Sequence, residues 1–140
     1  MNHRILQHRV RGQALIELML VLGLFLLLIL GTFNMMQLFL VNYAVHQAAW
    51  AAANQAAVDG GAAPSAVAVA ELLLDAGVGT RATQAEITIS CASSGMLCRR
   101  YDPITAEIVY QSSYWVPIIP IFDSFTTRAW ATRPSERDQQ

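Results

Sequence analysis

Charged residues are scarce in this chain and almost missing from its first half. Only 14% of the 140 residues are Asp, Glu, Lys or Arg, and residues 13–58 carry a single charge, Glu17. The chain has no lysine, and its net charge of -1 gives no electrostatic case for binding nucleic acid. The sequence therefore predicts a protein that has no nucleic-acid partner.

Histidine is absent from residues 59–140, which excludes a histidine-based triad or general base there. The acidic residues of this part are spread singly, and no glycine-rich phosphate loop follows a strand. The pair Arg99-Arg100 indicates a solvated turn, with contact to an anion or a partner as the alternative. The sequence predicts no enzyme, no cofactor, no metal and no small-molecule substrate; a membrane-anchored enzyme is the disfavoured alternative.

Cysteine is also rare, since the chain has only Cys91 and Cys98. If this part of the chain faces an oxidising compartment, a disulfide that closes the short intervening turn is the default expectation. Free thiols are one alternative. A metal site is another, but it would need two more ligands, and the histidines lie in the N-terminal head or the long helix.

The long uncharged stretch predicts a membrane-spanning helix over residues 18–40. At about 1.5 Å per residue such a helix is about 35 Å long, which is enough for the roughly 30 Å hydrocarbon core of a bilayer. Arg4, Arg9 and Arg11 precede it, so the positive-inside rule predicts a cytoplasmic head at residues 1–12 and a C-terminal part on the other side. A cleaved secretory signal is the alternative, but its apolar region would be shorter.

The helix is expected to continue beyond the membrane as an alanine-rich projection over residues 41–58. Alanines recur every four residues there, at Ala44, Ala48, Ala52 and Ala56. They are either filler of high helix propensity or a seam for close packing against other copies or against the chain's own globular part. Asp59-Gly60-Gly61 should end the helix, so we predict one helix over residues 13–58.

The sequence that follows the long helix predicts a small α/β part over residues 59–133 and a frayed polar tail over 134–140. A second helix is expected at residues 65–76, because apolar residues recur on one face after Pro64. Alternation of polar and apolar residues predicts three strands around 86–91, 107–110 and 125–133. The apolar loop at 115–122 either packs inward or is an exposed contact patch. The predicted fold class is α+β, with a long pilin-like helix, a short second helix and a small antiparallel sheet.

The start of the apolar run resembles the processing signal of type IV prepilins. Gly12 precedes an apolar stretch, and Glu17 follows five residues later. The sequence of residues 13–22, the alanine-rich continuation and the strand–loop–strand end are similar to TadE-like minor pseudopilins of tight-adherence (Tad/Flp) pili. The resemblance implies cleavage between Gly12 and Gln13 by a prepilin peptidase, and assembly through Glu17.

That family implies partners and a location. The partners are inner-membrane lipid, the prepilin peptidase, other pilins or pseudopilins, and the Tad assembly machinery. The location is the bacterial inner membrane, crossed once, with a cytoplasmic N-terminus and a periplasmic or extracellular C-terminal part that can also enter a pilus. Two alternatives are an uncleaved single-pass membrane protein with an extracytoplasmic interaction domain and a minor pseudopilin of a secretion system.

The chain also departs from the family pattern. Gly23 stands where relatives often have a proline, and the amides Asn34 and Gln37 stand where they often have an acidic and a basic residue. A kink at Gly23 and a charge pair at the two amide positions are therefore not expected here.

Overall fold

A computed structural model describes residues 3–61, 64–92, 98–116 and 123–137, with side chains from residue 13 onward. It confirms the predicted α+β class. The elements, in chain order, are helix α1 (His3–Asp59), helix α2 (Pro64–Ala76), a 3₁₀ turn (Ala82–Gln84), and strands β1 (Ala85–Cys91), β2 (Pro103–Ser113) and β3 (Ser124–Pro134). The strands form one antiparallel sheet in the order β1-β2-β3.

Helix α1 is longer than predicted, because it begins at His3 rather than at residue 13. Residues 3–11 contain neither proline nor glycine, so nothing in them stops the helix from extending toward the N-terminus. The predicted end is confirmed. Gly60 has a φ of 82°, and the Gly61 N–H donates to the Ala56 carbonyl at 2.9 Å, which is the Schellman arrangement that terminates helices.

Helix α2 lies against the last third of α1 and runs antiparallel to it. One end is tied by the hydroxyl of Ser65, which donates to Asp59. At the other end Gly77 approaches α1 so closely that a methyl group there would lie 3.1 Å from the Ala44 Cβ. The predicted apolar face of α2 is confirmed, since its buried residues are Ala66, Ala70 and Leu74.

The sheet covers a second side of α1 with alternate residues of β2 and β3, while β1 lies beside α2. In β2 the buried positions include Ala106, Ile108 and Tyr110, and Ile108 lies between Ile87 of β1 and Ala129 of β3. The alternation predicted for the third strand is confirmed in its burial pattern. The Tyr110 hydroxyl donates to Gln84 Oε1 at 2.6 Å and accepts the Arg81 N–H at 3.1 Å, so its polar end is satisfied.

The alanine seam of α1 packs against the chain's own α/β part. Its residues form the core together with α2 and the sheet, and the following alanines have at most 4% of their surface exposed: Ala48, Ala49, Ala52, Ala53, Ala56 and Ala57. Their small side chains let the sheet and α2 approach the helix backbone closely. Of the alternatives left open by the sequence, packing within the chain is the one observed.

Residues 135–137 are docked, which corrects the expectation of a frayed tail for this part of residues 134–140. Ser135 is buried; its N–H donates to the Asp102 carbonyl at 2.8 Å, and its carbonyl accepts the Tyr101 N–H at 2.8 Å. The Glu136 N–H donates to the Ala57 carbonyl at 2.9 Å. The two bonds of Ser135 continue the strand pairing beyond β3, and the bond of Glu136 ties this segment to the end of α1. Polar composition does not reveal either contact. Residues 138–140 lie outside the described part of the chain.

Cys91 and Cys98 form the predicted disulfide, with Cα atoms 5.7 Å apart. Cys98 is buried with Ala56, Ala66 and Ile104 in a small cluster beside the main core. The turn between the cysteines, residues 93–97, lies outside the described residues. Most of the apolar loop predicted at 115–122 does so too, since only its first two residues are described.

Candidate membrane-facing and assembly surface

Residues 13–33 of α1 have an apolar surface that nothing in the described chain covers. Over residues 13–33 every side chain is exposed except Leu30, which is half-buried. The other large apolar side chains here keep between 36% and 69% of their surface exposed. The helix is long and apolar enough to cross a membrane. We call residues 13–33 the free half of α1, and residues 34–59, one side of which packs against the sheet and α2, the packed half.

Glu17 lies on the free half and is the only charged residue there. Among the side chains described, which begin at Gln13, none forms a hydrogen bond or an ion pair with its carboxylate. Gln13 is one helical turn away, about 6 Å along the axis. The predicted cleavage site, Gly12-Gln13, falls inside the continuous helix rather than at its start.

Two amides, Asn34 and Gln37, mark where the free half ends. The Gln37 Nε2 donates to the Ser113 carbonyl and its Oε1 accepts the Trp115 N–H, both at 2.8 Å. The Asn34 Nδ2 donates to the Val116 carbonyl at 2.8 Å, and its Oδ1 accepts the Val116 N–H at 3.3 Å. Gln37 is fully buried. Each amide thus donates one hydrogen bond to, and accepts one from, the backbone at the start of the β2–β3 connection, as the backbone of a paired strand does.

If α1 crosses a bilayer, these amides place the outer limit of the span before the predicted Leu40. Gln37, Val41 and Val45 are all fully buried within the chain, so they are not available to lipid. Irregular backbone such as that of residues 114–116 is not tolerated in lipid-exposed hydrocarbon. A span that ends at Phe33 and is about 30 Å long needs about 20 residues, and would begin near Ala14. Glu17 would then lie about 5 Å inside the hydrocarbon core.

A shallow aromatic groove lies between the packed half and β3. It is lined by His46, Gln47 and Trp50 of α1 and by Trp130 and Ala131 of β3. Trp50 and Trp130 are 51% and 66% exposed, and the Arg133 guanidinium lies 5.3 Å from the Trp50 ring centroid. No local pattern in the sequence predicts that Trp130 of β3 lies beside Trp50 of α1.

The far end of the packed half carries one perturbed carboxylate. Hydrogen bonds donated by Ser65 and by Gln55 lower the pKa of Asp59, with a smaller contribution from the charge of Arg137. Partial burial opposes this shift. The three partners come from α1, from α2 and from the docked tail, so Asp59 links the ends of three segments.

The described residues contain no group of three or more His, Cys, Asp or Glu that could hold a metal ion. Comparison with known proteins adds no assignment: no family model, no curated protein and no solved structure matches this chain.

Proposed function

We propose that this chain is a minor pseudopilin of the tight-adherence type that has no enzymatic activity of its own. In this proposal the free half of α1 holds it in the bacterial inner membrane with the N-terminal head in the cytoplasm. A prepilin peptidase cuts after Gly12. The processed chain then joins a Tad-type pilus or its assembly complex through α1, while the α/β part lies outside the cytoplasm.

The observation that carries the proposal is Glu17, a carboxylate on a largely apolar and uncovered helix surface that finds no partner among the described side chains. An ionised group at membrane depth costs several kcal/mol unless it finds a partner. Since the described side chains supply none, the partner has to come from outside this part of the chain. Packing against the helices of neighbouring subunits would bury the free half and provide one.

Cleavage after Gly12 would change the electrostatics around Glu17 in two ways. It converts the amide nitrogen of Gln13 into a positive α-amine, which a neighbouring subunit can present to the carboxylate. It also moves the start of α1 from His3 to Gln13, so that Glu17 comes within about one turn of a helix N-terminus. In the uncut helix it is about 21 Å away, beyond the reach of the terminal partial charge.

The position of Gly12 inside α1 is compatible with processing. A protease needs its substrate chain locally unwound, and glycine in a helix interior costs about 1 kcal/mol relative to alanine. Gly12 is the only glycine among residues 3–22, so this is where the leader part of the helix opens most easily. A long side chain at position 12 should both strengthen the helix and obstruct recognition of the cleavage site.

The test is the mass and N-terminal sequence of the protein recovered from membranes of a host that has the peptidase. The proposal expects a chain that begins at Gln13, and expects Gly12→Leu to keep its leader. A wild-type protein that still begins with Met1 would favour the alternative, an uncleaved single-pass protein whose outer part binds another envelope component. For that alternative the exposed groove at Trp50 and Trp130 is the surface to consider.

A second measurement separates processing from assembly. Glu17→Ala should leave insertion and cleavage intact but strongly reduce co-purification with the other pilus components. Glu71→Ala is the matched control, because Glu71 is an exposed acid on α2 and should behave as wild type. Normal piliation with Ala at position 17 would contradict the role given to Glu17.

A further inference from the structure

The β2–β3 connection begins on α1 at the point where the free half ends. Asn34 and Gln37 hold its backbone at Ser113, Trp115 and Val116 with four hydrogen bonds between 2.8 and 3.3 Å. Asn34 directly follows Phe33, the last residue of the free half, which is 53% exposed. The backbone of Trp115 is therefore fixed at the level of the helix where lipid contact would stop.

The indole of Trp115 is held in place at its other end as well. Its ring packs on the backbone of Gly79, where a methyl group would lie 2.6 Å from the Trp115 Cζ2. Gly79 has a φ of 78°, a conformation that glycine adopts without strain. Although both ends of the residue are fixed, 47% of its surface is exposed. Such a rigid, exposed indole is suited to a surrounding that accommodates both an apolar ring and an N–H donor.

The headgroup layer of a bilayer provides that surrounding. A bilayer is about 40–45 Å thick with its headgroups and about 30 Å without them, which leaves about 5–7 Å on each side. Along a helix this corresponds to about 3–5 residues. Counted outward from Phe33, the layer covers residues 34–38, which include both amides that hold the connection. Tryptophan is enriched at this depth in membrane proteins.

We propose that Trp115 lies in the outer headgroup layer, so that the α/β part sits directly on the bilayer and contacts it a second time beside α1. This inference rests on the membrane placement in the proposed function but not on the pilus role. Two separated contacts would fix the rotation of α1 about its axis, and with it the direction in which Glu17 faces its neighbours. The occupant of this surface is lipid headgroup, not a second protein.

Depth-dependent quenching of tryptophan fluorescence tests the proposal. The full chain is reconstituted into phosphatidylcholine vesicles whose acyl chains carry bromine either near the headgroup or near the chain end. Trp50→Phe together with Trp130→Phe leaves Trp115 as the only tryptophan. Both replaced residues are largely exposed, so the fold should be kept. Trp115 fluorescence should fall more with the shallow bromines than with the deep ones.

Two matched variants give the scale of depth. A chain that keeps only Trp50 should not be quenched by either lipid, because Trp50 lies about 25 Å beyond Phe33 along the helix. A chain with Leu26→Trp and the native tryptophans replaced by Phe should be quenched more by the deep bromines. If position 26 is quenched and Trp115 is not, the second contact is refuted while the membrane span stands. If neither is quenched, the membrane placement itself fails and the inference fails with it.

Discussion

The two halves of α1 share one continuous backbone but differ in the size of their side chains and in what covers them. The packed half presents alanines to its own sheet and to α2, and those alanines are buried. The free half presents leucine, isoleucine and phenylalanine in all directions, and they are exposed. The free half is the more apolar of the two, because the packed half also carries amides such as Gln37, Asn54 and Gln55, but apolarity does not decide which half the sheet covers. Side-chain size does, because only a surface of small residues lets a sheet approach the helix backbone closely.

The consequence is a division between stability and assembly. Burial within the chain makes the packed half part of the folded core, whereas the free half depends on lipid or on other helices for its cover. Substitutions in the packed half should therefore change the free energy of unfolding, and substitutions in the free half should change membrane insertion or assembly.

Leu74→Ala should destabilise the α/β part by about 2–5 kcal/mol, because it empties a fully buried position between α2 and the packed half. The matched change Leu27→Ala removes the same atoms from an exposed site on the free half, and should leave that stability unchanged. Denaturant unfolding in detergent, followed by the near-ultraviolet circular dichroism of the sheet aromatics, measures both. Equal destabilisation by the two variants would show that the halves are not separate.

Removal of the disulfide, by Cys91→Ser together with Cys98→Ser, should cost about 2–3 kcal/mol on the loop-entropy estimate for so short a ring. Cys98 packs beside Ala56, near the C-terminal end of the packed half, so membrane insertion should not change. Wild-type protein in reductant should unfold at the same denaturant concentration as the double variant. A loss of membrane association on reduction would mean that the two ends of the molecule are coupled after all.

Gln37→Leu should cost about 1–3 kcal/mol, because it leaves the Ser113 carbonyl and the Trp115 N–H without their partner at a buried site. Gln47→Leu is the matched control, since Gln47 is exposed on the same helix. Unfolding midpoints in detergent give the comparison. If Gln37→Leu is as stable as wild type, the amides do not define the boundary between the halves.

The sequence predicted the fold class and most elements, because alternation along the strands and the glycines after Asp59 are local signals. It did not predict the packing partner of the alanines, because small residues permit close contact without specifying with what. It also missed the hydrogen bonds of Asn34 and Gln37 with the backbone of residues 113–116, from which they are separated by 76 to 82 positions in the sequence. The docking of Ser135 was missed for the same reason: a hydrogen bond between distant segments leaves no pattern in composition.

Asp59, at the far end of the packed half, should give the smallest effect on stability. Since hydrogen bonds from Ser65 and Gln55 lower the pKa of Asp59 in the folded chain, its carboxylate stabilises the fold at pH values above its ordinary pKa of 3.8. That contribution is lost as the pH falls through the lower folded-state pKa. Wild type should therefore be more stable than Asp59→Asn at neutral pH, and the difference should vanish in strong acid. Ser65→Ala removes the first donor but keeps the carboxylate. The stability of this variant should therefore fall with decreasing pH in the same direction as that of wild type, but by a smaller amount. Thermal unfolding of the three proteins across the acid range provides the measurement, and a difference that grows as the pH falls would contradict the assigned sign.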